Sequence, residues 1–143
     1  MDYFSSESLD SLNKIYRINL INSITGYKSA NLLGTVSNKG IENVAVFSSI
    51  THLGSNPALL SFFVRPNIVP RNTYKNIKEK KFFTVNHIIK EKIDDAHHTS
   101  AKYDEDISEF DKTNLQSEYK KNWEAPFVKD SAVQLGCKFV NEY

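Results

Sequence analysis

Two short segments of the chain combine hydroxyl, amide and guanidinium side chains in a pattern that could bind an anion. Ser48 and Ser49 directly follow a strand-like run, whereas Arg71, Thr73 and Asn76 lie at the start of a helix-like stretch. A helix N-terminus offers unpaired backbone N–H groups and a positive dipole end, which an arginine would reinforce. The residue types alone favour a helix cap and a serine-rich turn, and a phosphate cradle is the functional alternative.

The histidine spacing does not indicate a metal centre. His97 and His98 are adjacent and therefore point in different directions on any regular element, while His52 and His87 are distant in sequence. A zinc site needs several ligands that converge on one point. We therefore predict no bound metal ion.

The remaining reactive side chains are expected to have structural roles. Cys137 lies in an alternating strand-like run, where a cysteine is usually a small core residue rather than a nucleophile. The acidic segment 104–111 lacks the glycine and the spacing of a calcium loop, so a solvated loop is predicted. Glycine-rich nucleotide loops and the zinc-protease, paired-cysteine and serine-hydrolase motifs do not occur in the sequence. The residues therefore predict neither a nucleophilic cysteine nor one of these standard catalytic motifs.

Length, charge and hydropathy narrow the class of protein. The chain has 143 residues, within the roughly 100–200 expected of one domain, and its single cysteine excludes an internal disulfide. Its net charge of +1 argues against a nucleic-acid-binding protein. No apolar run approaches the roughly 18 residues of a membrane span, and the polar N-terminus differs from a secretory leader. These features predict a soluble, cytoplasmic globular domain.

The elements that would position the hydroxyl segments are mostly strands. Apolar and alternating runs predict five of them, over residues 30–36, 43–47, 59–64, 82–88 and 133–140. Turns are predicted at 37–40 and 53–57, and the run 59–64 is expected to be buried on both faces.

Helical patterns occupy three stretches between and before these strands. They lie within 5–24 with Ser6 or Ser8 as N-cap, over 72–80 with Asn72 or Thr73 as N-cap, and over 94–101 from Asp94 or Asp95. Because strands and helices do not alternate strictly, the order predicts a β-barrel or an α+β fold.

Six segments of the sequence, taken in order, indicate a protein family, which the chemistry of their side chains alone does not. They are Asn43–Ser49, Thr51–Pro57, Arg71–Ile77, Phe83–Asn86, Ala96–Ala101 and Ser108–Lys112. In sequence and in order they resemble segments of the flavin reductase-like family of FMN-binding split barrels, and the resemblance covers roughly residues 24–140. The resemblance implies a mainly β fold with inserted helices, an FMN-binding split β-barrel of about six strands, and a homodimer with FMN near the subunit interface.

The same resemblance assigns roles to the candidate residues. The backbone of Asn43, Ala45 and Val46 would line the isoalloxazine ring, and Ser48 and Ser49 would contact the flavin or its phosphate. The phosphate or ribityl chain would be held by Arg71, Thr73 and Asn76. His97 or Thr99 would lie near the ring, with local helix capping as the alternative for both.

The implied activity is that of an NAD(P)H-dependent flavin reductase, in which FMN carries the hydride chemistry. A non-catalytic flavin- or haem-binding module on the same barrel and a cofactor-less interaction protein are the alternatives. No nucleic-acid or membrane partner is expected. The resemblance also implies that the single domain at 1–143 lacks its final strands, so the strand 133–140 would be paired by a partner subunit or the chain would be a fragment.

Overall fold

The computed structural model describes residues 4–66 and 71–143, in which the chain forms eight strands and four α-helices. In chain order these are α1 (Ser6–Ser11), α2 (Lys14–Ser23), β1 (Asn31–Val36), β2 (Glu42–Phe47), β3 (Thr51–Ser55), β4 (Ala58–Ser61), α3 (Asn72–Lys80), β5 (Phe82–His87), α4 (Ile93–His98), β6 (Ser117–Glu118), β7 (Phe127–Val128) and β8 (Gln134–Lys138). Two 3-10 turns, Lys90–Lys92 and Glu109–Lys112, lie on either side of α4.

The central sheet has four antiparallel strands in the order β2-β1-β5-β8. The predicted hairpin of β1 and β2 is confirmed, and it turns through Gly40, whose φ of +80° is easily adopted only by glycine. The β3–β4 and β6–β7 pairs form separate two-stranded sheets, and among the described residues none of the three sheets closes into a barrel. The structure confirms a mainly β core with inserted helices.

The core consists of two layers, one on each face of this sheet, because successive side chains of a strand point to opposite faces. The layer beneath α3 contains Leu33, Ile77, Phe83 and Val85. The layer on the other face contains Leu32, Val44, Ala96, Phe110, Leu115 and Val128. All six residues of β1 are buried, so β1 is covered on both faces.

For residues 53–64 a strand is confirmed at β4, but the predicted turn and the predicted burial were wrong. The stretch assigned to a turn contributes to β3, which pairs with β4 around a cis Asn56–Pro57 bond. The predicted buried strand ends early, at Ser61, and both Leu60 and Phe63 are exposed. The hairpin lies outside the main core, so its apolar residues are not covered by a second layer.

The helix predictions were correct in position but not in their caps. The cap of α1 is Ser5, whose hydroxyl accepts from the backbone N–H of Ser8 at 3.2 Å. The cap of α3 is Arg71, without a side-chain hydrogen bond. The helix predicted over 94–101 is α4, which begins at Ile93 and ends at His98. Within the described ranges, every helix is too short or too polar to span a bilayer.

Candidate functional site

Most of the candidate residues lie on strand β2, directly follow it or form a hydrogen bond with it. Its side chains alternate, so that Asn43 and Phe47 face α3 while Val44 and Val46 face α4. By the same alternation Ala45 lies on the α3 face, where it is half-buried. The predicted ring-lining residues therefore divide between the two faces of the sheet.

Two buried hydrogen bonds fasten α3 to the sheet at the start of β2. The Asn43 amide donates to the Thr73 hydroxyl at 3.0 Å, and the Asn76 amide donates to the Thr35 hydroxyl at 3.1 Å. All four side chains are buried. These bonds fix the helix over the sheet, and they place two of the three predicted phosphate residues in the core layer rather than at the surface.

The third predicted phosphate residue, Arg71, has an exposed side chain at the N-terminus of the nine-residue helix α3. No acidic residue occupies the first turn of α3. The positive end of the helix dipole and the guanidinium therefore act in the same direction there, and both favour an anion.

The serine segment lies at the opposite end of β2. Ser48 is exposed at a bend, and the Ser49 hydroxyl bonds to the backbone of Phe63, accepting from its N–H at 3.0 Å. Asn43 and Ser48 are five residues apart along extended chain, roughly 15 Å at the usual rise of a strand. The hydroxyls of Ser48 and Thr73 consequently do not converge on one small anion.

From Asn43 to Phe47, the backbone N–H groups of β2 are already used within the protein. The register with β1 and strand alternation direct those of Asn43, Ala45 and Phe47 to β1. Val44 donates to a Glu109 carboxylate oxygen at 3.0 Å, and Val46 donates to the Thr99 hydroxyl at 2.9 Å. Donors for a ligand therefore begin beyond the strand.

Ser48 and Ser49 supply such donors. Among the described residues, neither of their backbone N–H groups has a hydrogen-bond partner. The Ser48 hydroxyl is exposed beside them. The arrangement can donate hydrogen bonds to the polar edge of a ring or to an anion.

Two further predicted residues lie at the C-terminal end of α4, His97 in its last turn and Thr99 as its C-cap. His97 is exposed, whereas Thr99 is buried and donates its hydroxyl proton to the Ala96 carbonyl at 2.7 Å while it accepts from Val46. A hydroxyl has only one proton to donate, so Thr99 bonds to the strand and has no donor left for a ligand.

Sequence reasoning missed Glu109. It was assigned to a solvated acidic loop, and that prediction was wrong because Glu109 is only 7% exposed in its 3-10 turn. Burial raises the pKa of the Glu109 carboxyl, and its hydrogen bonds with backbone N–H groups oppose that rise. The available signal was the Ser108-Glu109-Phe110 segment, in which an apolar residue adjoins the carboxylate.

A pocket of about 210 Å³ opens beside the start of β2, on the face of α3 that carries Asn72 and Asn76. Its lining includes the carboxylates of Glu42, Glu79, Glu105 and Asp106 and the amines of Lys39 and Lys75. Four acidic against two basic side chains oppose the binding of a phosphate, so the anion-binding end of the site is better assigned to Arg71 than to this pocket. In residues 4–66 and 71–143, no group of three or more His, Cys, Asp and Glu side chains could hold a metal ion.

The family of the chain is shown by a match between a protein-family model and the region that contains the strands. A profile described as the flavin reductase like domain matches residues 25–143, which contain every strand of the structure. The chain belongs to the flavin reductase-like family. The resemblance seen in the sequence is thereby confirmed.

Curated relatives of this family member are longer. An uncharacterized protein of Aquifex aeolicus (strain VF5) is 31% identical over 108 residues, which cover 74% of this chain and 55% of that protein. Uncharacterized protein YwrF of Bacillus subtilis (strain 168) is 32% identical over 105 residues, which cover 73% and 51%. The chain thus spans about half the length of these relatives.

Solved structures share the fold. A split-barrel protein from Shewanella frigidimarina NCIMB 400, provisionally named a flavin reductase, is 42% identical with a TM-score of 0.92, covering 99% of this chain and 70% of its own. The flavoredoxin of Desulfovibrio vulgaris (Miyazaki F) is 18% identical with a TM-score of 0.73, covering 82% and 63%, and shows the fold alone. By name, the first of these proteins has a split-barrel domain and the second is a flavoredoxin.

Proposed function

We propose that this protein binds FMN and acts as a flavin reductase that accepts a hydride from NADH or NADPH. The observation that carries the proposal is the end of β2 in a member of this family. The backbone N–H groups of Ser48 and Ser49 are without partners among the described residues, directly after a strand whose N–H groups from Asn43 to Phe47 are bonded. Such a strand end can bind the polar edge of a flavin ring.

The separation of the two donor groups fits a ligand with distinct ring and phosphate ends. Ala45, Ser48 and Ser49 would lie at the ring, and Arg71 would bind the phosphate at the N-terminus of α3. Bound FMN would supply the hydride-transfer chemistry, so a protein acid or base is not required. The role of the protein is then to bind, orient and shield the flavin.

The proposal includes three features drawn from the family resemblance. They are a split barrel closed around the central sheet, a homodimer with the flavin near the subunit interface, and a cytoplasmic location. The open side of β8, at the edge of the sheet, supports the first of these, because an unpaired strand edge is a place for further pairing.

The direct experiment is to add FMN to the purified protein, remove free flavin by desalting, and record the visible flavin spectrum. We then expect FMN-dependent oxidation of NADH or NADPH. A retained flavin without oxidation of either nucleotide would indicate a non-catalytic flavin module. Binding of haem in place of flavin would indicate a haem module, and binding of neither would indicate an interaction protein.

The phosphate assignment has its own test. Arg71→Ala should weaken FMN binding at least tenfold, about 1.4 kcal/mol. Lys80→Ala removes an equal charge at the other end of the same helix and is the matched control. Equal FMN affinity for Arg71→Ala and wild type would refute the assignment of the phosphate to this helix end.

A further inference from the structure

The outer edge of β2 is closed by side chains rather than by another strand. In an antiparallel sheet, alternate residues of an edge strand direct both N–H and C=O away from the neighbouring strand. In β2 these include Val44 and Val46, whose N–H groups meet the Glu109 carboxylate at 3.0 Å and the Thr99 hydroxyl at 2.9 Å. Two separate segments of the chain thus bond to consecutive outward donors of one strand.

Both acceptors are held in place by their own contacts. Thr99 is 4% exposed, and its bond to the Ala96 carbonyl at 2.7 Å orients the hydroxyl so that a lone pair faces Val46. Glu109 lies in a 3-10 turn that Ser108 caps by accepting from the N–H of Phe110 at 3.3 Å. Phe110 and Ala96 pack in the same core layer as Val44, so the turn and α4 are attached to the sheet through side chains as well.

A buried carboxylate is an energetically costly acceptor for the single backbone N–H group of Val44, since removing its charge from water is unfavourable. A serine or a water molecule could satisfy one N–H group at less cost. The carboxylate and the hydroxyl instead fix the edge from outside, opposite the ladder to β1. A strand held along both edges cannot shift its register, and a shift of one residue would reverse which side chains face the flavin.

We propose that Thr99 and Glu109 are positioning residues that hold β2 in one register and thereby set the placement of the Ala45–Ser49 backbone against the flavin. The link to flavin rests on the proposed function, whereas the closure of the edge stands on the hydrogen bonds alone. Neither residue needs to touch the flavin.

The test measures two quantities separately, the amide hydrogen exchange of β2 and the affinity for FMN. Thr99→Val preserves shape but removes the hydroxyl, and Thr99→Ser restores it. We expect Thr99→Val to speed amide hydrogen exchange of Val46 at least tenfold and to weaken FMN binding at least tenfold, with Thr99→Ser returning both to within about threefold of wild type. Ser37→Ala is the control, because it removes a comparable bond, from the Ile41 N–H at 3.0 Å, in the β1–β2 turn.

Glu109→Leu and Glu109→Gln provide a second pair, read at the amide of Val44. The leucine variant should speed exchange there and weaken FMN binding, and the glutamine variant, which keeps an oxygen acceptor, should recover most of both. If Thr99→Val cannot be folded, this pair decides the question.

The outcomes are distinguishable. Faster exchange with unchanged FMN affinity would overturn the positioning role, and unchanged exchange would overturn the edge closure itself. If wild-type protein binds no flavin, the proposed function fails together with the link to flavin, whereas exchange measured without flavin still supports or refutes the closure of the edge.

Discussion

Glu109 shows how one buried carboxylate can couple a loop to a strand at the cost of stability. Its environment is apolar, with Phe110 and Val44 in the adjoining core layer, and burial raises the pKa of its carboxyl. The bond from Val44 favours the ionised form but does not outweigh burial. The folded protein therefore takes up a proton at Glu109 more readily than the unfolded chain does.

The raised pKa of Glu109 has a defined consequence for stability. A carboxyl whose pKa is raised by folding stabilises the fold below its unfolded pKa, and that contribution is lost as the pH rises through the folded pKa. We expect the free energy of unfolding of wild type, relative to Glu109→Gln, to fall as the pH rises from about 4 to 7. Urea unfolding of both proteins across this range measures the difference, and a difference that rises with pH would contradict the direction.

Cys137 gives a second prediction for a single residue. Burial raises the pKa of its thiol from 9.0 to about 11. Since the thiolate is the reactive form, this higher pKa lowers the reactive fraction about a hundredfold near pH 8. We expect alkylation by iodoacetamide to be about a hundredfold slower in the native protein than in the same protein unfolded in urea. Comparable rates in the two states would show that the thiol is freely exposed.

At the scale of elements, a row of small residues lets a loop lie directly on the sheet. Gly34, Thr84 and Gly136 are neighbours across β1, β5 and β8. Over this row lies segment 123–127, with the Trp123 ring against Gly136 and the Pro126 carbonyl accepting from the Thr84 hydroxyl at 2.6 Å. The row therefore forms a groove in the sheet, which segment 123–127 fills.

We expect Gly34→Ala to destabilise the fold by about 2 kcal/mol or more, because overpacking against a rigid backbone has no easy relaxation. The added Cβ would overlap the Pro126 carbonyl oxygen and lie 2.5 Å from the Thr84 hydroxyl oxygen. Gly54→Ala is the control, since its Cβ would approach only the Pro57 carbonyl, at 3.3 Å in a hairpin outside the core. Urea unfolding would measure both changes. Equal losses for the two variants would contradict the groove.

The main strands could be predicted from sequence because their pattern is local. Alternation over 133–140 and the turn before Gly40 identified β8 and the β1–β2 hairpin. Strand β3 was missed and β4 was wrongly expected to be buried, because the side chains of this hairpin are largely exposed and burial imposes no apolar alternation on them. Its Gly54 and Pro57 look like a single turn, although the chain turns only at the proline.

The candidate site was less predictable because its contacts are long-range. Arg71 and the serine segment could be chosen by residue type, but their separation along β2 depends on the placement of α3 over the sheet. Glu109 and Val44 are 65 residues apart in sequence, and no local pattern joins them. A charged residue in a polar stretch is usually solvated, and only the packing of Phe110 reverses that expectation here.

For the whole molecule, the central sheet has two unlike edges. The β2 edge is closed by Thr99 and Glu109. The β8 edge is open among the described residues, since its outward backbone groups pair with no strand and no side chain there. The apolar side chains of Val133 and Val140 at the ends of this strand are exposed as well. Further pairing, by a second copy in the proposed homodimer or by additional strands, would therefore be expected at β8 rather than at β2.

Amide hydrogen exchange can test whether the outer edge of β8 is open, because the strand has amides that face β5 and amides that face away from it. Bonds from His87 to the Val133 carbonyl and from Phe139 to the Lys81 carbonyl show that odd-numbered residues of this strand face β5. The amides of Leu135 and Cys137 should therefore be protected, and those of Gln134, Gly136 and Lys138 should exchange at least tenfold faster in dilute protein.

The same strand thus contains its own control, because both sets of amides share one local environment and differ only in direction. Protection of the outward set that appears with rising protein concentration would place a second copy on this edge and support the homodimer. Equal protection of both sets at every concentration would contradict an open edge, and it would mean that the β8 edge is covered within a single chain.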